Sequence, residues 1–220
     1  LQSLADLSFC LQIQSFEWPR RRSTIGRDAV TRAVADKGME GKMNILIGFV
    51  SIEGQTRKIA EKIAEHVEKA GHRAVFFNVT SMAEYALERP EAVILCAPIH
   101  AGRYPAPFVD FVRRERDFLK SVPSAFVSVS LFIRSEFEEE REEARHFPDT
   151  LMAETGWTPG RVLNAAGALR YTEYDFFKRW MAKRLAAREG APTDASQNFE
   201  FTDWAELERF VSDFLAGAKA

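Results

Sequence analysis

Ser51, Gly54 and Thr56 have the types and spacing to hold a phosphate. They lie in the run Ser51-Ile52-Glu53-Gly54-Gln55-Thr56, between the apolar stretch Ile45-Leu46-Ile47-Gly48-Phe49-Val50 and the sequence Arg57-Lys58-Ile59-Ala60. Two hydroxyls can donate to phosphate oxygens, and Gly54 lets the backbone come close. A helix that starts here turns its unpaired N–H groups, and the positive end of its dipole, toward one point. A P-loop would close with Gly-Lys-Ser/Thr, and no lysine stands between Gly54 and Thr56. A dinucleotide fingerprint needs three glycines, but Gly48 sits inside the apolar stretch and leaves Gly54 alone in the turn. The plainer alternative is a strand–helix connection in which Ser and Thr act only as caps.

The elements around this loop decide between the readings. The unbroken apolar stretch predicts a strand buried on both faces. Ile59, Ile63 and Val67, with Ala60 and Ala64 beside them, recur at helical spacing. Further strands are expected over Arg73–Val79, Glu91–Ala97, Ser124–Phe132 and Val162–Leu169. Helices are expected from Ser81 to Leu87, from about Ala106 to Leu119, and after the charged stretch Glu136–Arg145 through Pro148 to near Gly156. A last helix starts at a capping box of Asp203 and Glu206, with Trp204, Leu207, Phe210, Val211, Phe214 and Leu215 facing inward. Five strands separated by helices predict an α/β fold: a doubly wound parallel sheet, order 2-1-3-4-5, with helices on both faces. Its ligand would sit outside the carboxyl ends of the strands next to the first. Three more loops lie at that end: Pro98-Ile99-His100-Ala101-Gly102-Arg103-Tyr104, Ser130-Leu131-Phe132-Ile133-Arg134 and Gly167-Ala168-Leu169-Arg170-Tyr171.

Composition limits the function classes. A net charge of −2 over 220 residues argues against nucleic acid as a partner. Cys10 and Cys96 are far apart, and Cys96 lies in an apolar run, which suits a reducing cytosol better than a disulfide framework or a metal site. No apolar run reaches the roughly 18 residues that suggest a membrane span, so membrane association is expected to be peripheral. Residues 1–42 lack sustained periodicity, and Asp6, Glu17, Asp28 and Asp36 spoil a transit-peptide pattern. They are expected to be an extension, disordered or non-native, ahead of a domain over 43–217.

The stretch Arg170–Arg188 is the least expected part of such a domain. Arg170, Lys178, Arg179, Lys183, Arg184 and Arg188 alternate with Tyr171, Tyr174, Phe176, Phe177, Trp180, Met181 and Leu185. Phe177, Trp180, Met181 and Leu185 fall at helical spacing, with the basic residues toward another face. A basic, aromatic amphipathic helix suits an anionic membrane surface, or a flat apolar ligand bearing carboxylates. A helix packed on the sheet with a solvated basic face accounts for the pattern equally well.

The loop Ser-x-x-Gly-Gln-Thr resembles the phosphate loop of flavodoxins, which hold the FMN phosphate with hydroxyls and backbone amides and no basic side chain. That likeness implies FMN, with Ser51, Ile52, Glu53, Gly54, Gln55 and Thr56 at its phosphate. It also implies a flavin ring clamped by Pro98, Ile99, His100, Ala101, Gly102, Arg103 and Tyr104 on one side and by Ser130, Leu131 and Phe132 on the other. Tyr104 is then expected to stack on the ring and Phe132 to wall it.

A narrower resemblance rests on several motifs in order: Gly54-Gln55-Thr56-Arg57-Lys58-Ile59-Ala60, Gly102-Arg103-Tyr104, Pro123-Ser124-Ala125-Phe126-Val127-Ser128-Val129, Ala166-Gly167-Ala168-Leu169-Arg170-Tyr171 and Thr202-Asp203-Trp204. Together they resemble the flavodoxin-type, menaquinone-dependent protoporphyrinogen oxidase family of bacterial haem biosynthesis, over essentially Met43 to Ala216. The resemblance implies protoporphyrinogen IX as donor and a membrane quinone, menaquinone or ubiquinone, as acceptor. It further implies a cytoplasmic chain, at most peripheral on the inner face of the cell membrane. Arg170, Lys178, Arg179, Trp180, Lys183 and Arg184 become candidates for docking substrate or membrane. His100 and Tyr171 are the nearest nominees for a base, although a lone loop histidine is more often structural and water could take the protons. The acidic stretch Ser135–Glu143 departs from the more basic one expected there. An electron-transfer flavodoxin would be strongly acidic and lack the basic aromatic stretch. An NAD(P)H:quinone reductase on the same fold stays open, because nicotinamide needs no motif of its own.

Overall fold

Ile45, Leu46, Ile47, Phe49 and Val50 are all buried, which is why their run shows no polar alternation. A computed structural model of the chain describes residues 41–80, 90–135, 137–169 and 199–218. In it β1 (Asn44–Phe49) lies between β2 (Arg73–Asn78) and β3 (Ala92–Pro98), with β4 (Ser124–Ser130) and β5 (Arg161–Ala166) beyond β3. Every pairing is parallel and the order is 2-1-3-4-5, the predicted topology. The chain leaves β1 for β2 on one side, and β3 to β5 build out on the other. The ends of β1 and β3 therefore flank the point where the winding reverses.

Side-chain alternation along each strand builds two separate cores. Ile45, Ile47 and Phe49 meet α1 (Gln55–Lys69) and α4 (Trp204–Ala218), through Ile59, Ile63 and Val67 of α1 and Leu207, Val211, Phe214 and Leu215 of α4. Leu46, Val93 and Leu95 meet α2 (Ala106–Ser121) and α3 (Glu138–Thr155), through Phe108, Phe111 and Val112 of α2 and Phe147 and Leu151 of α3. Trp204 and Phe210, expected to face inward, are only partly buried at the rim of the first core. Cys96 is fully buried and its thiol is pushed above the usual range by desolvation, so it packs rather than reacts.

Three boundaries differ from the sequence-based expectation, each for a local reason. The fourth strand ends at Ser130, not Phe132, because the Ser130 hydroxyl accepts the Phe132 N–H at 3.2 Å and starts a 3₁₀ turn over Leu131–Arg134. The fifth strand stops at Ala166. After Gly167 the chain forms a short ribbon, β6 (Ala168–Leu169), antiparallel to β7 (Phe199–Glu200). The charged stretch is not a lead-in to a separate helix: α3 runs from Glu138 straight through Pro148 to Thr155. Glu138, Glu139 and Glu140 favour its positive end, and Ala144, Phe147 and Leu151 bury its inner face on both sides of the proline. Those gains outweigh the single helical hydrogen bond that Pro148 forgoes. The helix expected over Ser81–Leu87 lies outside the described residues, as do Arg170–Arg188 and residues 1–40.

Candidate functional site

Gly54 sets the geometry of the first loop. It precedes α1 with φ 92°, in the left-handed region, where a Cβ would be strained. Its N–H donates to the Ser51 hydroxyl at 3.0 Å, which closes the loop on itself. The first backbone bond of α1 is Lys58 N–H to Gly54 C=O at 3.0 Å, so the N–H groups of Gln55, Thr56 and Arg57 have no acceptor within the helix. No acidic side chain occupies the first turn of α1. Three backbone donors and the Ser51 hydroxyl proton are a donor set suited to a terminal phosphate. Thr56 lies on the buried face of α1, 2% exposed. Ile52 is 47% exposed beside the cradle, Glu53 and Gln55 are half-buried, and the group such a loop fits is a phosphate monoester without a lysine partner.

The next two loops sit beside this one because their strands are neighbours. Val50 N–H donates to Cys96 C=O at 3.1 Å and Ile99 N–H to Val129 C=O at 2.8 Å, which continues the ladder past the strand ends. His100 and Arg103 then exchange backbone bonds at 2.9 and 3.2 Å around Ala101 (φ 50°) and Gly102 (φ 75°). Two positive φ values at the centre of such a turn are the type I′ pattern, and Gly102 adopts its own without steric penalty. Ala101, Gly102 and Arg103 are exposed, while Pro98, Ile99 and His100 are half-buried. Leu131 and Phe132 are half-buried in the 3₁₀ turn, and Ser130 is buried at its start.

Tyr104 is not where a stacking residue must be. It is 7% exposed, its ring lies edge-on to Phe126 at 5.4 Å, and its hydroxyl donates to the Ser128 hydroxyl at 2.8 Å. Burial pushes the phenol above its usual range. The ring therefore anchors the loop into the core beneath, and the expected stacking role is corrected to a structural one. Among the other candidates, Tyr171, Arg170, Lys178, Arg179, Trp180, Lys183 and Arg184 lie outside the described residues.

Sequence reasoning did not find the hydrogen-bonded chain behind the cradle. The Gln55 side-chain amide donates to the Thr202 hydroxyl at 2.9 Å and to the Glu200 carboxylate at 3.1 Å. Thr202 donates in turn to the Ala166 carbonyl at 2.8 Å, at the end of β5. Lys58 pairs with Glu200 at 2.7 Å, holding that carboxyl below its ordinary range, and lies over the Trp204 ring at 5.3 Å. Gln55 and Thr202 are far apart in sequence, and nothing near either one announces the other. The predicted Asp203 cap is present, accepting the Glu206 N–H at 2.9 Å.

The flavodoxin domain family matches residues 46–196 of this chain. The chain is 33% identical over 171 residues to protoporphyrinogen IX dehydrogenase (quinone) of Escherichia coli strain K12, covering 78% of this chain and 94% of that protein. It is 30% identical over 172 residues to the protein of the same name from Leishmania major, covering 78% of this chain and 74% of that one. Among solved structures, the Fusobacterium nucleatum flavodoxin bound to flavin mononucleotide aligns with 80% of this chain and 97% of that one, at 13% identity and a TM-score of 0.43.

Proposed function

Because the chain belongs to the flavodoxin domain family and has protoporphyrinogen IX dehydrogenases (quinone) as relatives at 33% identity, we propose that it oxidises protoporphyrinogen IX with FMN as cofactor and a quinone as electron acceptor, a step of haem biosynthesis. The observation that carries the cofactor is the lysine-free cradle at the reversal point of the sheet: three first-turn N–H groups, the Ser51 hydroxyl and the left-handed Gly54. FMN ends in one phosphate monoester, which this donor set matches, whereas a pyrophosphate would need a longer run of glycines.

The chain's own residues bind and orient. The amides of Gln55, Thr56 and Arg57 hold the phosphate end, and the backbone of 98–104 and 130–132 borders the ring end. Ile99, Leu131 and Phe132 offer half-buried apolar surface that excludes water from one side of that space. FMN held there would supply the two-electron transfer that links oxidation of the porphyrinogen to reduction of the quinone. Oxidation proceeds in repeated two-electron steps, and the protons released can pass to water. His100 is nominated as a base by position alone, and Tyr171 by sequence alone.

Docking of donor and acceptor is assigned to Arg170, Lys178, Arg179, Trp180, Lys183 and Arg184, on their pattern of basic and aromatic residues. Guanidinium groups pair well with carboxylates such as those of a porphyrinogen. The same pattern suits the inner face of the cell membrane, where menaquinone or ubiquinone would be met. Among the described residues no helix is long and apolar enough to cross a membrane. Residues 1–42 are read as an extension outside the flavin domain, and a chain starting at Met43 is expected to bind FMN with unchanged affinity in a flavin titration.

The deciding experiment is an anaerobic assay of the purified chain with FMN, protoporphyrinogen IX and a quinone. FMN should raise the melting temperature, and porphyrin fluorescence should appear only when both FMN and quinone are present. A melting shift with FAD but not FMN would overturn the cofactor, and quinone reduction that needs NAD(P)H would replace the donor. Ser51→Ala is expected to weaken FMN binding by about 1.5–3 kcal/mol, since a hydrogen bond to a charged phosphate is lost. Thr56→Ala is expected to have a smaller effect, because Thr56 lies on the buried face of α1. Unchanged affinity in both variants would move the phosphate elsewhere.

A further inference from the structure

Gln55 takes part in two structures at once. Its backbone N–H is one of the three free donors of the cradle, and its side-chain amide supplies the hydrogen bonds to Glu200 and Thr202. Those two residues belong to the return of the chain from β7 toward α4. That return is also fixed by the Phe201 N–H to Gly167 C=O bond at 3.2 Å and by the Thr202 hydroxyl on Ala166 C=O. Among the described residues the β6–β7 ribbon pairs Ala168 with Glu200 and Leu169 with Phe199. The first turn of α1 ties β7 and the residues after it to the sheet, through Gln55 at the first position and Lys58 three residues on.

We infer that the Gln55–Thr202 hydrogen bond couples occupancy of the phosphate cradle to the seating of the β6–β7 ribbon, making Gln55 and Thr202 positioning residues for the site. The inference rests on the FMN reading above. A phosphate on the amides of Gln55 and Thr56 holds the first turn of α1 in one geometry, and that geometry aims the Gln55 amide at Thr202. Thr202 can answer because its single proton goes to Ala166 C=O and its lone pairs remain for Gln55. By linkage, a seated ribbon must strengthen phosphate binding by the same factor by which phosphate favours seating. In sequence, β6 and β7 bracket the basic, aromatic stretch, which begins just after Leu169.

The test is amide hydrogen exchange on the full chain, with and without FMN, read at residues 199–203. FMN should slow exchange there about tenfold in the unaltered chain. Thr202→Val keeps shape and removes the hydroxyl. It should weaken FMN binding about five- to tenfold and cut the FMN-dependent slowing to under twofold, while Thr202→Ser restores both. Gln55→Met is a second variant with the same expected loss, should Thr202→Val fail to fold. A purely structural Thr202 would raise exchange equally with and without FMN, and that result overturns the coupling. Exchange at 199–203 that ignores FMN in the unaltered chain, while FMN binds, also overturns it and leaves the FMN reading intact. A chain that binds no FMN overturns both.

Discussion

Replacing Lys178, Arg179, Lys183 and Arg184 together with Gln is expected to lower activity with a membrane quinone in anionic vesicles by up to on the order of a thousandfold at limiting lipid. Attraction to such a surface is worth about 1 kcal/mol per basic residue, so four neutralisations remove about 4 kcal/mol. FMN binding is expected to be unchanged, because the cradle's donors, the Ser51 hydroxyl and the backbone N–H groups of α1, include none of these side chains. A soluble quinone separates the two docking roles. Activity with it should survive if these residues meet the membrane, and fall equally if they grip porphyrinogen carboxylates. Full activity in both assays would mean that the stretch is structural and that its basic face is merely solvated.

Trp157→Ala is expected to lower folding stability by about 3–5 kcal/mol, the range for removing a fully buried large aromatic. Trp157 is 0% exposed, packs edge-on against Phe126 at 5.9 Å, and donates from its indole nitrogen to the Ser124 hydroxyl at 3.2 Å. The truncation opens a cavity and leaves that hydroxyl buried without its donor, so two penalties add. Phe126 also stacks on Phe108 at 5.7 Å and meets the Tyr104 ring. Loosening it should therefore reach the 98–104 loop, and FMN affinity should fall along with stability. Denaturant unfolding measures the first effect and flavin titration the second. A loss below about 1 kcal/mol would show that the second core repacks around the gap, contrary to the cavity argument. Trp157→Phe, which keeps most of the volume, should lose much less.

The fold was legible because its signals are local. An apolar run without alternation, a helix period through Ile59, Ile63 and Val67 and the repeated strand–helix rhythm are properties of ten to twenty neighbouring residues, and they predict a doubly wound parallel sheet; the order 2-1-3-4-5 is that of the flavodoxin-like fold the phosphate loop resembles. The cradle was legible for the same reason: Ser51, Gly54 and the first turn of α1 are adjacent in sequence, and backbone geometry places their donors together. What the tertiary structure alone decided depends on partners distant in the chain. Tyr104 stands in a loop beside the site, and only Phe126 and Ser128 of β4 turn its ring into the core. The fifth strand reads as continuous to Leu169. It breaks at Gly167 because Thr202 and Phe201, coming back from far along the chain, take the carbonyls of Ala166 and Gly167. Pro148 reads as a helix boundary, yet α3 passes through it because Phe147 and Leu151 are buried against the sheet on either side. Gln55 reads as one more loop residue, and its link to Glu200 and Thr202 exists only once α1 and the β7–α4 return share a corner of the fold.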